Sequence, residues 1–167
     1  MIGTAWGMAA GEIALHYPCD EFMPHPTLEA WRAVTVHAAP DTVWQWLGQV
    51  RIAPYSYDWI DNLGRRSPRR LLGLTEPEVG EAFTTSGRRQ LGRIVSVHHG
   101  RQLTGRIMGA YMTYLLVPAG PDTTRLLLKV VMSPRRWVAP AIAVGDLVMA
   151  RRQLLNLKAL SEQGSTP

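Results

Sequence analysis

The 167-residue chain has a single cysteine, Cys19, which excludes an intramolecular disulfide framework and leaves stability to the hydrophobic core. Lysine is scarce as well: of 18 basic residues 16 are Arg, and only Lys129 and Lys158 are Lys. No apolar run reaches the 18 or so residues of a membrane-spanning helix. The first eleven residues are apolar, but no basic stretch precedes them and Glu12 interrupts them before a signal-peptide core forms. A cytoplasmic protein is the expectation. There is no G-x-G-x-x-G at a strand-to-helix junction and no Walker pattern, so no cofactor is expected. His98 and His99 are adjacent, point to opposite faces if on a strand, and have no third ligand at metal spacing, so no metal is expected either. Cys19 has His16 and His25 nearby, but Pro18, Pro24 and Pro26 make this an extended, turning arm that does not hold a base against a thiol.

The composition is that of an ordinary globular protein, with 46% hydrophobic and 19% charged residues. Its length suits one domain with a sizeable core. The pattern predicts an N-terminal arm over 1–29, a single domain over 30–162 and a tail over 163–167. The formal charge is +5, and arginines cluster at Arg65-Arg66, Arg69-Arg70, Arg88-Arg89 and Arg135-Arg136. These clusters lie in turn-rich stretches without interleaved stacking aromatics, so no nucleic-acid partner is expected. They read as solvated loop charge, with weak contact to anionic surfaces as the most they imply.

Ala5 to Leu15 is compatible with a short helix. Arg32, Val34 and Val36 alternate with Trp31, Ala33 and Thr35, which predicts a strand. Pro40 and Asp41 then open a short helix whose buried stripe is Val43, Trp44, Leu47 and Val50. Tyr55, Tyr57 and Trp59 crowd a second short helix that starts near Ser56 and stops at Gly64. Strands follow over Glu81–Thr85, Arg93–His98 and Gln102–Ile107. A hairpin over Tyr111–Val117 and Thr124–Met132 comes next. Its even positions, Met112, Tyr114, Leu116, Leu126, Leu128, Val130 and Met132, make one apolar face. The odd face mixes Thr113, Arg125 and Lys129 with Leu127 and Val131, as in a sheet covered on one side only.

Pro140 to Glu162 reads as one helix of about six turns. Ala143, Val144, Leu147, Val148, Ala150, Leu154, Leu155 and Leu157 form a broad apolar arc, opposite Asp146, Arg152, Gln153 and Asn156. An arc this wide predicts a helix gripped by a curved partner. Arg151 falls near its middle, and a guanidinium buried there needs an anionic or hydrogen-bonding partner. The whole order is α+β: a strand, two short helices, about six antiparallel strands and a long helix. A sheet wrapped on a straight helix commonly leaves a cavity between them.

Arg32-Ala33-Val34-Thr35-Val36, followed by Ala39-Pro40-Asp41-Thr42-Val43-Trp44 and Trp46-Leu47, resembles the opening of the START-like, or SRPBCC, superfamily. Tyr55-Ser56-Tyr57-Asp58-Trp59, Thr124-Arg125-Leu126 and the C-terminal helix are similar to bacterial proteins of that superfamily. Its members include the major birch-pollen allergen, lipid-transfer START domains and polyketide cyclase/dehydrase-type proteins. The resemblance covers roughly residues 18 to 162. It implies a helix-grip fold, with a curved antiparallel sheet of six to seven strands around the long helix, and a hydrophobic cavity for a lipid, polyketide or similar ligand. No catalytic motif comes with it.

The favoured expectation is a non-enzymatic binding protein for a small hydrophobic molecule, monomeric or homodimeric. Its cavity would be lined by Trp44, Tyr55, Tyr57, Asp58, Trp59, Met112, Tyr114, Leu126, Leu128, Leu147 and Arg151. Arg151 would meet a ligand carboxylate or pair with Asp58. A cyclase/dehydratase-type enzyme is the alternative and needs two converging ionisable groups. An interaction module with a basic surface is the third.

Overall fold

The computed structural model describes residues 5–133 and 139–163, with side chains for all of these except Asp61 and residues 139–148. β1 (Ala5–Trp6) and α1 (Cys19–Phe22) lead into β2 (Leu28–Val36), which begins earlier than the alternation at Trp31 suggests. α2 (Pro40–Gly48) follows, with Pro40 in its first turn and Val43, Trp44 and Leu47 buried. A 3₁₀ turn over Gln49–Arg51 buries Val50. The second short helix, α3 (Asp58–Asp61), is a single turn. It ends because Asn62 and Gly64 both donate their N–H to the Asp58 carbonyl, at 3.2 and 2.8 Å.

Among the described residues eight strands sort into two sheets. β3 (Thr84–Ser86) and β4 (Arg89–Leu91) form a separate hairpin, so the strand expected over Glu81–Thr85 starts later and pairs locally. β5 (Arg93–His98), β6 (Gln102–Ile107), β7 (Ala110–Gly120) and β8 (Thr123–Met132) join β1 and β2 in the order β1-β2-β8-β7-β6-β5. Every pairing in this six-stranded sheet is antiparallel except β1 with β2. α4 (Ala139–Gln163) crosses one face. Its end is pinned at the Val36 end of β2, where Lys158 Nζ donates to the Thr35 carbonyl at 2.7 Å and Glu162 accepts the His37 N–H at 2.8 Å. The helix-grip arrangement is thus present.

The concave face carries the main core. Ala150, Leu154, Leu157 and Leu160 of α4 meet Val34, Val36, Leu126 and Leu128, all of them buried. This spacing, i, i+4, i+7, i+10, is the buried stripe of the described half of α4, and Leu155 is partly buried against the same core. Gln153 lies inside it, 9% exposed, and Arg151 lies outside, exposed. Ala143, Val144, Asp146, Leu147 and Val148 fall outside the described side chains.

The convex face corrects two expectations. Ala5 to Leu15 forms no helix; after β1 it runs through turns. The odd face of the hairpin is not half wet but covered by this arm. Tyr17 and Cys19 pack on Ala33, Leu127 and Val131, with Met8 and Met23 beside them. The charges on that face are the anchors. Arg125 Nε and Nη2 donate to the two Glu12 carboxylate oxygens at 2.7 Å each, and Lys129 Nζ lies 2.6 Å from Asp20. Lys129 also sits 5.0 Å above the Trp31 ring.

The hydrogen bonds from Arg125, helped by the Ala9 N–H and opposed by burial, hold Glu12 below its ordinary value of 4.5. A lowered carboxylate stabilises fully above the unfolded value and loses that contribution as pH falls through the folded one. The arm is therefore expected to loosen on acidification below about pH 4.5, before the sheet does. Amide exchange at neutral and acidic pH, corrected for intrinsic rates, reads this directly. Equal loss of protection in residues 5–23 and in β7–β8 would contradict it.

Candidate ligand-binding site

The concave wall is built by register. Ile107, Ala110 and Met132 stand side by side across β6, β7 and β8, and the next row is Gly105, Met112 and Val130. The third row is Leu103, Tyr114 and Leu128, and β2 adds Arg32 opposite Leu128. Arg32 is fully buried and donates from Nη1 to the Trp31 carbonyl at 2.7 Å. Leu103, Tyr114, Leu126 and Leu128 are sealed. Ile107, Met112 and Met132 are only half-buried, although they belong to the same apolar cluster. Ala110 and Gly105 are the small residues between them. Over Gly105 lies the Phe83 ring, its centroid 6.2 Å from that of Tyr114.

Of the residues singled out from sequence, Met112, Tyr114, Leu126 and Leu128 share this wall. The Tyr114 hydroxyl donates to Gln153 Oε1, and Gln153 Nε2 donates to the Pro54 carbonyl at 2.6 Å. Tyr55 is buried at φ 52°, with its hydroxyl accepting from Gln49 Nε2 at 2.7 Å. Burial pushes the Tyr55 phenol up to about 12. Trp44 is buried too, but its indole N–H points to Glu76 at 2.7 Å, toward the loop beyond α2. Tyr57 lies under the Arg152 guanidinium, 5.8 Å away.

Three residues stand elsewhere. Trp59 is 75% exposed. Asp58 accepts from the Ser67 N–H at 2.8 Å and from the Ser67 hydroxyl at 2.5 Å, so it braces a loop. Arg151 is exposed and stacks over Trp6 at 4.7 Å, which removes both the ligand carboxylate and Asp58 as its partner. The side chain of Leu147 lies outside the described residues. The buried cation of the concave face is Arg32, on the strand and not on the helix. Its signal was in the sequence: Arg32 shares parity with Val34 and Val36.

Two clefts open under residues 70–77, a strap without regular structure. One, about 350 Å³, lies between the 3₁₀ turn and β3–β5, and the other, about 260 Å³, between α2 and the strap. Both are lined by Arg51, Leu74 and Thr75. Arg51 closes the strap, donating to the carbonyls of Gly48 and Thr75 and pairing with Glu81 at 2.5 Å. Gln49 does the same, accepting the Leu72 N–H at 2.6 Å. These polar groups are spent on one another. Among the described residues no three of His, Cys, Asp and Glu converge as metal ligands. Burial pushes the Cys19 thiol up to about 11, and His16 pairs with Glu21 on the surface, so the two form no nucleophile–base pair.

No family model matches the chain, and no curated protein sequence does. Solved structures do. Protein XoxI from Bacillus cereus superposes with a TM-score of 0.57 at 14% identity, over 83% of this chain and 99% of its own. A protein from Mesorhizobium loti gives 0.55 at 15% identity, over 81% and 97%. A polyketide cyclase-like protein from Corynebacterium glutamicum gives 0.52 at 13% identity, over 86% and 96%. At such identities the likeness is one of fold. The chain has a helix-grip fold, a curved sheet against a long C-terminal helix, shared with a polyketide cyclase-like protein.

Proposed function

We propose that the protein binds a small, mainly apolar molecule on the concave face of its sheet, at the Met132 end. The observation that carries this is the half-buried trio Ile107, Met112 and Met132, grouped at one end of the wall while Leu103, Tyr114, Leu126 and Leu128 are sealed. Partly covered apolar surface of this kind, with two flexible methionines in it, suits an adaptable apolar ligand. Binding is favoured over cyclase chemistry because Asp58 and Arg151, the ionisable pair that chemistry would use, do not meet.

Native mass spectrometry with solvent extraction of the purified protein tests the reading, together with titration of the apolar dye anilinonaphthalene sulfonate. One adduct or one dye site per chain is expected. Met112→Trp, which fills the trough, should weaken dye binding at least tenfold, equivalent to about 1.4 kcal/mol, with the fold retained. Wild-type protein that binds neither ligand nor dye, or dye binding unchanged in Met112→Trp, would refute the concave site.

A further inference from the structure

Residues 62–75 and 82–93 contain no aspartate or glutamate, yet they carry Arg65, Arg66, Arg69, Arg70, Arg88, Arg89 and Arg93. The two segments meet. The Gly87 N–H donates to Asn62 Oδ1 at 2.9 Å, and Arg65 Nη1 donates to the Gly87 carbonyl at 3.1 Å. The β3–β4 turn, with Arg88 and Arg89, therefore lies against the exit of α3. All seven arginines are exposed.

Large apolar side chains stand out of the same ground. Trp59, Ile60 and Leu63 are 75, 50 and 74% exposed, and Leu71 and Leu72 follow at 40 and 41%. Leu63 is held at φ 51°, where glycine or asparagine costs less. The cap onto the Asp58 carbonyl and the Asp58–Ser67 clamp fix the turn that presents it. An isolated exposed leucine needs no explanation, but a tryptophan, an isoleucine and a leucine on one turn beside a run of exposed arginines do.

We propose that this face docks on the surface of an anionic lipid bilayer. Trp59, Ile60 and Leu63 enter the boundary between headgroups and acyl chains, and the arginines meet lipid phosphates. Nucleic acid would satisfy the charge, but it offers no apolar layer to Ile60 and Leu63 and would call for a row of planar rings. The surface lies on α3 and the loops after it, outside the concave trough, so it stands independently of the ligand reading.

Co-sedimentation of the whole chain with vesicles tests it, using phosphatidylcholine alone and an equimolar mixture with phosphatidylglycerol. Binding is expected on the mixture, little on phosphatidylcholine, and less as salt rises. Arg66→Gln with Arg69→Gln should weaken binding roughly twenty-five-fold, about fivefold for each cation lost. Trp59→Ala with Leu63→Ala should weaken it at least tenfold while leaving thermal unfolding and the Met112→Trp-sensitive part of dye binding unchanged, since both side chains are exposed. Retention of vesicle binding by the Trp59/Leu63 variant would overturn docking in favour of diffuse charge attraction. Equal binding to both vesicle types, or binding to single-stranded DNA with none to vesicles, would overturn it as well. A failure here leaves the concave-site result standing, because the dye titration reads a different surface.

Discussion

Gly105→Ala is expected to destabilise the protein by about 3 kcal/mol, the upper end of what over-packing a core costs. A Cβ at this position would lie 2.0 Å from Phe83 Cδ2 and 2.2 Å from Phe83 Cγ. Neither side can yield cheaply. Gly105 is paired on both sides in β6, to Ile94 and to Met112. Phe83 is 2% exposed, at the start of the β3–β4 hairpin. Phe83→Ala alone removes the ring and should cost about 3–5 kcal/mol. The double variant is the decisive one. With the ring gone the added methyl meets empty space, so the combined loss should fall short of the sum by about 2 kcal/mol. Urea unfolding of the four proteins measures this, and additive losses would mean that the ring does not rest on Gly105.

The same pair bears on function. Phe83 fills the trough beside Met112, so its removal lengthens the open end of the concave wall. Phe83→Ala should then shift dye and ligand preference toward bulkier apolar molecules, the reverse of Met112→Trp. A preference unchanged in Phe83→Ala would separate the hairpin from the binding wall.

What was legible in the sequence was whatever has a period. Alternation marked β2 and the β7–β8 hairpin, and i, i+3, i+4 spacing marked α2 and α4. The misreadings share a cause: the deciding partner is far away in sequence. Helical spacing sets Arg151 among the leucines and valines of α4, whereas the neighbour it stacks on is Trp6 on β1. Arg32 lay in plain alternation with Val34 and Val36, but a buried arginine is costly enough that parity alone did not suggest one. The Phe83–Gly105 contact joins a loop to a strand and leaves no pattern in either. The strap over 70–77 is held by side chain to backbone bonds from Gln49 and Arg51, which have no periodic signature. Trp59 and Tyr55 are four residues apart, yet Tyr55 lies in the bend before α3, 2% exposed, and Trp59 on α3, 75% exposed.

The arm shows the same principle with a measurable consequence. Leu127 and Val131 made the odd face of β8 too apolar for a wet surface, and Arg125 and Lys129 made it too charged for a core. Both features are explained by the arm, which supplies Tyr17 and Cys19 to the one and Glu12 and Asp20 to the other. Arg125 is the heavier anchor: besides Glu12 it donates to Thr35 Oγ1 at 2.9 Å and to the Gly7 carbonyl at 2.7 Å. Replacing it with methionine keeps the apolar stem and leaves Glu12, Thr35 and Gly7 without their donor. Because both partners retain some exposure, 18 and 14%, the expected loss is about 2–3 kcal/mol, below that for a fully buried pair. Cys19 reports it. Its thiol is completely buried and its pKa is pushed to about 11 by burial, so disulfide reagents reach it only when the arm lifts. If the arm opens as a unit, Arg125→Met should speed Cys19 labelling at about pH 8 roughly thirty- to hundredfold, with far-ultraviolet circular dichroism unchanged. Labelling that accelerates only in step with global unfolding would make the arm an integral layer of the core. Labelling that does not accelerate would mean that Lys129 and Asp20 hold it alone.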